Sequence, residues 1–149
     1  MNITNEINLN FKSNSINEWF ARSAISAFLL PLDPTIEELS DIKTAVSEAV
    51  TNCIVHGYHS GEGTIYINAK IIDNIRIVIK IRDKGCGIAD IKQALEPMFT
   101  TAGDERAGLG FAVMQNFMDK VRVASKVGKG TTITMEKIIR RSLNYDRTR

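Results

Sequence analysis

Two alternating apolar runs, separated by a short polar turn, set the architecture of this 149-residue chain. Isoleucine or alanine occupies every second position over 65–71, and isoleucine does so again over 75–81. Apolar residues at a period of two predict strands with one buried face, and Asp73-Asn74 between the runs favours a tight hairpin turn. Strands joined by such a turn run antiparallel. We therefore expect an antiparallel sheet and not the strand-helix-strand repeats of a parallel one.

Three further strands and three main helices complete a predicted order of β-α-α-β-β-loop-α-β-β, with a short polar helix near 90–95. The remaining strands are expected around 7–11, 121–123 and 133–135. A first helix capped by Ser15 should run to about Leu30, burying a face of Ile16, Phe20, Ala24, Ala27 and Phe28. A second should run from a capping box of Thr35 and Glu38 to about His56, and a third over 110–118. This predicts an α+β fold: a two-layer α/β sandwich, with a mostly antiparallel mixed sheet and helices on one face.

Composition and charge narrow the functional classes. Hydrophobic residues make up 44% and charged residues 24%, as in an ordinary globular domain. The net charge of +2 is concentrated in residues 138–149, which carry four arginines, and the body of the chain is nearly neutral. We therefore expect a single domain over 1–137, a basic, flexible tail over 138–149, and no direct binding of nucleic acid.

Sequence features also predict a compartment. No apolar run approaches the ~20 residues of a membrane span, and the first residues lack the basic and apolar regions of a signal peptide. Cys53 and Cys86 form no CxxC pair and have no histidine cluster near them, which predicts neither a disulfide nor a metal site. These observations predict a soluble cytoplasmic protein without membrane contact.

A polar stripe on the second predicted helix is the first candidate site. Glu48, Asn52 and His56 are spaced i, i+4 and i+8, so they stack along one side, about 120° from the centre of the apolar face. Any amphipathic helix has a polar side, which is the purely structural interpretation of this stripe. The alternative is that the carboxylate, amide and imidazole line a cleft.

Two glycine motifs are the next candidates. Asp83-x-Gly85-x-Gly87 follows a predicted strand, so backbone can approach a flat ligand while the carboxylate accepts a hydrogen bond from an exocyclic amine. Residues 108–111, Gly-Leu-Gly-Phe, open a helix whose free N–H groups favour an anion. Each segment by itself is equally well interpreted as a turn or a loop.

A small, polar segment over 100–107 has the composition of a mobile lid, and Arg106 in it is suited to reach a phosphate. Its alternative interpretation is a solvated loop. Gly130-Thr131 belongs first of all to a hairpin turn, with Thr131 also placed to touch a ligand.

Taken in order, these segments resemble the ATP-site motifs of the GHKL superfamily, which includes the ATP-binding domains of gyrase, Hsp90, histidine kinases and MutL. The resemblance covers about residues 7–137 and implies the Bergerat fold. Within the superfamily, the chain is similar to the anti-sigma factor serine kinases over 46–58, 97–101 and 116–119. The implied activity is transfer of the γ-phosphate of ATP to a protein serine, combined with sequestration of a sigma factor.

The resemblance assigns a role to each candidate residue. It implies that Glu48 is the general base and that Asn52 binds Mg²⁺. It implies that Asp83 binds the adenine amino group and that Arg106 stabilises charge on the γ-phosphate. The other implied contacts with ATP or ADP are His56, Gly85, Gly87, Thr100, Thr101, Gly108, Leu109, Gly110, Phe111 and Thr131.

The resemblance also implies protein partners. Arg22, in a Phe-Ala-Arg motif, and Glu105 would face a sigma factor of the sporulation (sigma F) type and an anti-anti-sigma protein that is the phosphorylation substrate. The first strand and helix would serve a homodimer interface. Two alternatives stay open: a kinase of the stress-response (sigma B) type, and a non-catalytic module that sequesters a sigma factor with ATP as a structural ligand.

Overall fold

The computed structural model describes residues 1–91, 95 and 106–140, and for 106–109 the course of the backbone alone. Five strands form one sheet in the order β1-β2-β3-β5-β4. They are β1 (Ile3–Lys12), β2 (Thr64–Ile72), β3 (Arg76–Asp83), β4 (Lys120–Lys126) and β5 (Gly130–Ile138). All four pairings are antiparallel. The expectation of a mixed sheet is therefore wrong for the described strands, because β5 returns between β3 and β4 and runs against both.

Three α-helices accompany the sheet in the described ranges: α1 (Ile16–Leu29), α2 (Ile36–Asn52) and α3 (Arg106–Phe117). The predicted end of the second helix near His56 corresponds to two elements, since α2 ends at Asn52 and a π-helical turn continues it over Cys53–Gly57. The third helix begins four residues earlier than predicted. Residues 92–94 of the expected short helix near 90–95 lie outside the described ones. None of the described helices is long and apolar enough to cross a membrane.

The predicted hairpin is confirmed. Ile72 pairs with Arg76, and Asp73 and Asn74 both have positive φ, 54° and 59°, as a type I′ turn requires. The alternating residues of the two strands face the helices and are at most 3% exposed: Ile65, Ile67, Ala69, Ile71, Ile77, Ile79 and Ile81. The core is thus a single layer between this face of the sheet and the helices.

The buried face of α1 differs from the predicted one. Ala21, Ile25 and Leu29 are buried, whereas Ile16 is 71% and Phe20 46% exposed. The buried stripe is one residue out of phase with the predicted one, so Ile16 and Phe20 point outward, while Phe28 of the predicted face packs against the core. An apolar patch of Ile16, Trp19, Phe20 and Leu30 therefore remains on the surface of the chain.

The fold continues three residues past the predicted boundary at 137. Strand β5 ends at Ile138, and the side chain of Ile139 is fully buried while its N–H donates to the carbonyl of Ile75 at 2.7 Å. The N–H of Arg140 donates to Oε2 of Glu38 at 2.7 Å. The rest of the predicted tail, 141–149, lies outside the described residues.

The start of α2 provides a test of stability. The Glu38 amide donates to Oγ1 of Thr35 at 3.0 Å, and the Thr35 amide donates to Oε1 of Glu38 at 2.9 Å. Thr35→Ala removes the first bond and should lower the free energy of unfolding by about 1 kcal/mol, measured by urea unfolding. Ser15→Ala is the matched control, because Ser15 precedes α1 without a side-chain capping bond, so its effect should stay within about 0.5 kcal/mol. Equal losses of unfolding free energy in Thr35→Ala and Ser15→Ala would contradict the assignment of Thr35 as the capping residue of α2.

Candidate functional site

The polar stripe of α2 faces a glycine of α3. Glu48, Asn52 and His56 are all half-buried along α2 and its π-helical continuation. A Cβ placed on Gly110 would lie 3.1 Å from Oε2 of Glu48 and 3.2 Å from Nδ2 of Asn52. The absence of a side chain at Gly110 therefore lets α3 pack against the two polar groups, which lie between the helices and not on a fully solvated surface.

The amide of Asn52 needs a further partner. Its Nδ2 is buried and makes no hydrogen bond with the residues that the structure describes. A buried polar group without a partner costs about 1–3 kcal/mol, so such a group is typical of a position that a ligand completes. A rotation of the Asn52 side-chain amide by 180° exchanges its nitrogen and oxygen and places the oxygen at the unsatisfied position. A single amide oxygen suits Mg²⁺, which keeps several waters and takes few protein ligands.

Asp83 is the buried acid of the site, only 4% exposed at the end of β3. The amide of Gly85 donates to its Oδ1 at 2.9 Å, and the thiol of Cys53 and the backbone of Thr131 also hydrogen-bond the carboxylate. Burial raises the pKa of Asp83, and these three hydrogen bonds oppose the rise. Burial, with the neighbouring carboxylate as a second cause, raises the pKa of the Cys53 thiol well above its usual value, so that thiol is a neutral donor.

Two glycines make room for this carboxylate. A Cβ on Gly57 would lie 2.7 Å from the Asp83 carboxylate, and a Cβ on Gly85 would collide with the carbonyl oxygen of Gly57. Gly57 is not among the site residues that the sequence predicts, whereas the structure makes it part of the site. The available signal was its position directly after the stripe residue His56. The role of Cys53 had no signal beyond its apolar helix position.

The loop after Asp83 is fixed on two sides. The amide of Cys86 donates to the Gly57 carbonyl at 2.9 Å, and the carbonyl of Cys86 accepts from the amide of Gly128 at 2.7 Å. Gly87 has a φ of +77° and lies against the backbone of Lys126, so that no side chain fits there. The loop is thereby clamped between the π-helical turn and the β4–β5 turn.

A hydroxyl pair of β4 and β5 lies beside the Asp83 loop. Oγ of Ser125 lies 2.8 Å from Oγ1 of Thr131, and the amide of Ile88 donates to the same Ser125 oxygen at 2.7 Å. Thr131 itself is buried and pairs with Asp83 across β3 and β5. The predicted proximity of Thr131 to the Asp83 loop is thus present in the structure, and Ser125 is an additional site residue that the sequence interpretation missed.

The structure describes some of the remaining predicted site residues and not others. Thr100, Thr101 and Glu105 lie outside the described residues. Arg106, Gly108 and Leu109 belong to α3, which begins at Arg106, so that the N–H of Gly108 is among those its first turn leaves without an intrahelical partner. The side chain of Phe111 is buried in the core. Gly110 and Phe111 lie in the second turn, where N–H groups bond within the helix.

A groove joins Glu48 to the arginine predicted to face protein partners. It has a volume of about 520 Å³ and lies between α1 and the first half of α2. Its lining consists of Arg22, Ile36, Leu39, Ser40, Lys43, Thr44, Ser47 and Glu48. A polypeptide segment in this groove would contact Arg22 while presenting a side chain to Glu48.

Comparison with known proteins identifies the family of this chain. The model of the histidine kinase-like ATPase domain matches residues 16–137. The anti-sigma F factor of Thermoanaerobacter sp. (strain X514) is 56% identical over 140 residues, which cover 93% of this chain and 97% of that protein. The anti-sigma F factor of Caldanaerobacter subterraneus subsp. tengcongensis is 54% identical over 143 residues, covering 95% and 99%. The chain belongs to the anti-sigma F factor family.

A solved structure supports the fold assignment of this anti-sigma F family member. The crystal structure of the RsbU and RsbW domains of a Mycobacterium tuberculosis protein matches with a TM-score of 0.66 and 19% identity, covering 91% of this chain and 32% of that one. The resemblance to the GHKL superfamily and the predicted α+β sandwich are both confirmed. As an ATPase domain of the histidine kinase type, the chain binds ATP or ADP, and the pocket around Asp83 and Asn52 is the candidate nucleotide site.

The raised pKa of Asp83 predicts a pH dependence of stability. Between the ordinary carboxyl pKa of about 4 and the higher folded value, the folded chain keeps a proton that the unfolded chain has released. The free energy of unfolding should therefore fall as pH rises through that interval. Asp83→Asn cannot ionise and should remove this contribution, so the stability of the native chain relative to the variant should decrease as pH rises.

Parallel urea unfolding from acid to neutral pH measures that difference. Glu62→Gln is the control for the loss of a carboxylate, since Glu62 is exposed. A constant difference between the native chain and Asp83→Asn across the pH range would contradict the buried state of Asp83.

Proposed function

We propose that this chain is an ATP-dependent protein serine kinase that also sequesters a sigma factor of the sigma F type. The observation that carries the proposal is the placement of Glu48 and Asn52 one turn apart on α2, both against Gly110 of α3. A carboxylate beside a buried, unsatisfied amide combines a proton acceptor with a metal ligand. A module that only binds its partner has no use for the carboxylate.

The proposed nucleotide lies between the two halves of the site. Asp83 accepts the exocyclic amino group of adenine, with Thr131 on the far side of the pocket and Gly85 and Gly87 allowing the ring to approach backbone. The phosphates extend toward the start of α3, where the N–H of Gly108 favours an anion. The wider set of proposed contacts includes His56, Thr100, Thr101, Leu109, Gly110 and Phe111.

Asn52 is the proposed ligand of Mg²⁺, which supplies charge neutralisation at the β- and γ-phosphates when it is bound. Glu48 accepts the proton of the attacking serine hydroxyl. The serine oxygen then bonds to the γ-phosphorus while the bond to the β-γ bridging oxygen breaks, which leaves phosphoserine and ADP. Arg106 is proposed to stabilise charge on the transferred group, and positioning supplies most of the rate enhancement.

The proposed partners follow from the family and the groove. The relatives are called anti-sigma F factors, which supports a sigma factor of that type as the sequestered protein. The anti-anti-sigma protein is the proposed substrate, and its serine reaches Glu48 along the groove that Arg22 lines. Glu105 is the second proposed partner contact. Because sigma factors act with RNA polymerase, the proposal places the chain in the cytoplasm.

The proposed assembly is a homodimer formed through α1 and β1. The apolar patch of Ile16, Trp19, Phe20 and Leu30 is exposed, with Trp19 64% accessible. The ring of Phe20 packs edge-on against Phe11 of β1, with centroids 6.1 Å apart, so the patch continues onto the edge strand. Exposed apolar area of this kind marks a protein interaction surface.

Replacement of Glu48 tests the kinase assignment. Glu48→Gln should reduce transfer of radioactive γ-phosphate to the anti-anti-sigma protein of the same organism by at least about 100-fold, because the amide cannot accept the serine proton. ATP affinity should stay within a few fold, since the amide keeps the shape of the side chain. Glu37→Gln, the same change in the exposed first turn of α2, is the matched control and should transfer normally.

Full transfer by Glu48→Gln would disprove the role of Glu48. No transfer by the native chain, with ATP and the sigma factor still bound, would instead favour the non-catalytic sequestering module. Preferential transfer of phosphate to an antagonist of a stress-response sigma factor would favour a kinase of the sigma B type.

A charge in the apolar patch tests the dimer. Ile16→Asp should shift the native chain from dimer to monomer in sedimentation equilibrium, because an aspartate cannot be buried there without a partner. Val127→Asp is the matched control, since Val127 is 66% exposed in the β4–β5 turn and should leave the mass unchanged. A native chain that sediments as a monomer at all concentrations would overturn the proposal.

A further inference from the structure

The face of the sheet turned away from the helices concentrates positive charge. The strand registers turn eight cationic side chains to this face: Lys12, Lys70, Arg76, Lys80, Arg82, Lys120, Arg122 and Lys126. The same registers turn two acids there, Glu6 and Glu136. The whole chain has a net charge of +2, so its charge is far from evenly distributed.

The two acids lie at one end of this face, where they offset half of the positive charge of Lys70, Arg76, Lys120 and Arg122. Glu136 is only 8% exposed and pairs with Arg76 at 2.9 Å and with Arg122 at 3.1 Å. Glu6 lies opposite Lys70 in the register of β1 and β2, and its Oε2 accepts a hydrogen bond from Nδ2 of Asn68 at 2.7 Å. The cations at this end are therefore partly compensated within the sheet, by two carboxylates for four positive charges.

The opposite end of this face, near the last residues of β3, carries cations whose register partners are uncharged. The register partners of Lys80 are Asn68 and Thr134. Those of Arg82 are Tyr66 and Thr132. An incoming anion would meet no acidic register partner at either cation.

A groove of about 600 Å³ lies at this uncompensated end, between β3 and the β4–β5 turn. Four cationic side chains line it: Arg82, Lys84, Lys126 and Lys129. Asp83 is the one acid among its lining residues, and its carboxylate points to the opposite face, toward Gly57. Ser125 and Thr131 of the candidate nucleotide site also line the groove, so the two sites share residues at the ends of β3, β4 and β5, while the side chains of Arg82 and Lys126 turn to the open face.

Two of these cations are held in place before anything binds. Cζ of Arg82 lies 4.8 Å and Nζ of Lys84 4.9 Å from the ring centroid of Tyr66. Alternate residues of a strand are about 6.8 Å apart, which is the spacing of Lys80 and Arg82 in β3. Lys84 follows the strand directly and extends this column of cations, with its ammonium over the same ring as Arg82. An extended segment with acidic residues at alternate positions has the same spacing between its carboxylates.

This geometry favours a protein partner over a nucleic acid. Proteins that bind single strands stack bases on exposed aromatic rings. Tyr66 is the aromatic residue that the registers turn to this face, and Arg82 and Lys84 already cover its ring. A base would have to displace both cations before it could stack.

We propose that the groove and the column of cations bind an extended acidic segment of a partner protein, with aspartate or glutamate at alternate positions. The column of cations is on the opposite face of the sheet from the proposed kinase site, and binding requires no nucleotide.

Fluorescence anisotropy with a labelled peptide of alternating glutamate and threonine, without nucleotide and at low ionic strength, tests the proposal. The peptide should bind, binding should weaken with added salt, and a peptide of alternating glutamine and threonine should not bind. The double variant Arg82→Gln, Lys129→Gln should bind roughly three- to tenfold more weakly, as expected for two exposed charge pairs. Both positions are exposed, so the fold should persist.

The matched control is the double variant Lys70→Gln, Lys120→Gln, which removes the same charge from the partly compensated end of the face and should bind the peptide as the native chain does. ATP affinity, measured on each protein, should be unchanged in both variants. Equal weakening in both variants, or no binding of the acidic peptide, would overturn the proposal. Tighter binding of an oligothymidylate than of the peptide would do so too and would assign the face to nucleic acid.

Discussion

A buried carboxylate holds the candidate nucleotide site together. Asp83 ends β3 and receives hydrogen bonds from the loop that follows it, from β5 and from the thiol of Cys53 at the end of α2. Burying a charge is costly unless it is hydrogen-bonded, so these three parts of the chain are fixed relative to one another by one side chain. Gly57 is required because the carboxylate occupies the space of its missing side chain. The same group that organises the pocket is the acceptor proposed for adenine.

The π-helical turn after α2 allows one continuous helical segment to make two different contacts. Asn52 must face α3 and its Gly110, while Gly57, five positions later, must lie beneath Asp83. An extra residue in the turn displaces the following backbone from the course of a regular α-helix. Such irregular turns are frequent at functional sites, and here the irregularity connects the Asn52 end of the candidate site to its Asp83 end.

The sheet and the candidate site differ in how far the sequence determines them. Alternating isoleucines encode a strand and its buried face directly, so the hairpin and its turn at Asp73 follow from local pattern. The buried face of α1 does not, because two stripes one residue apart are both apolar, and packing selects the one containing Ala21 and Ile25. The stripe of Glu48 and Asn52 was visible as a spacing, but the contact with Gly110 and the burial of Asp83 over Gly57 depend on residues distant in sequence.

Strand alternation at the end of β3 places two different surfaces back to back. Asp83 points toward the helices and the nucleotide pocket, while its neighbours Arg82 and Lys84 point to the open face and cover Tyr66. The amide of Lys84 also donates to the hydroxyl of Tyr58, one residue after the π-helical turn, at 2.7 Å. A displacement of this strand end would therefore move Asp83 and the basic groove together, since successive residues of one strand cannot shift independently. Because successive residues of a strand point to opposite faces, Asp83 in the buried, negative site and Arg82 in the exposed, positive groove are adjacent in sequence.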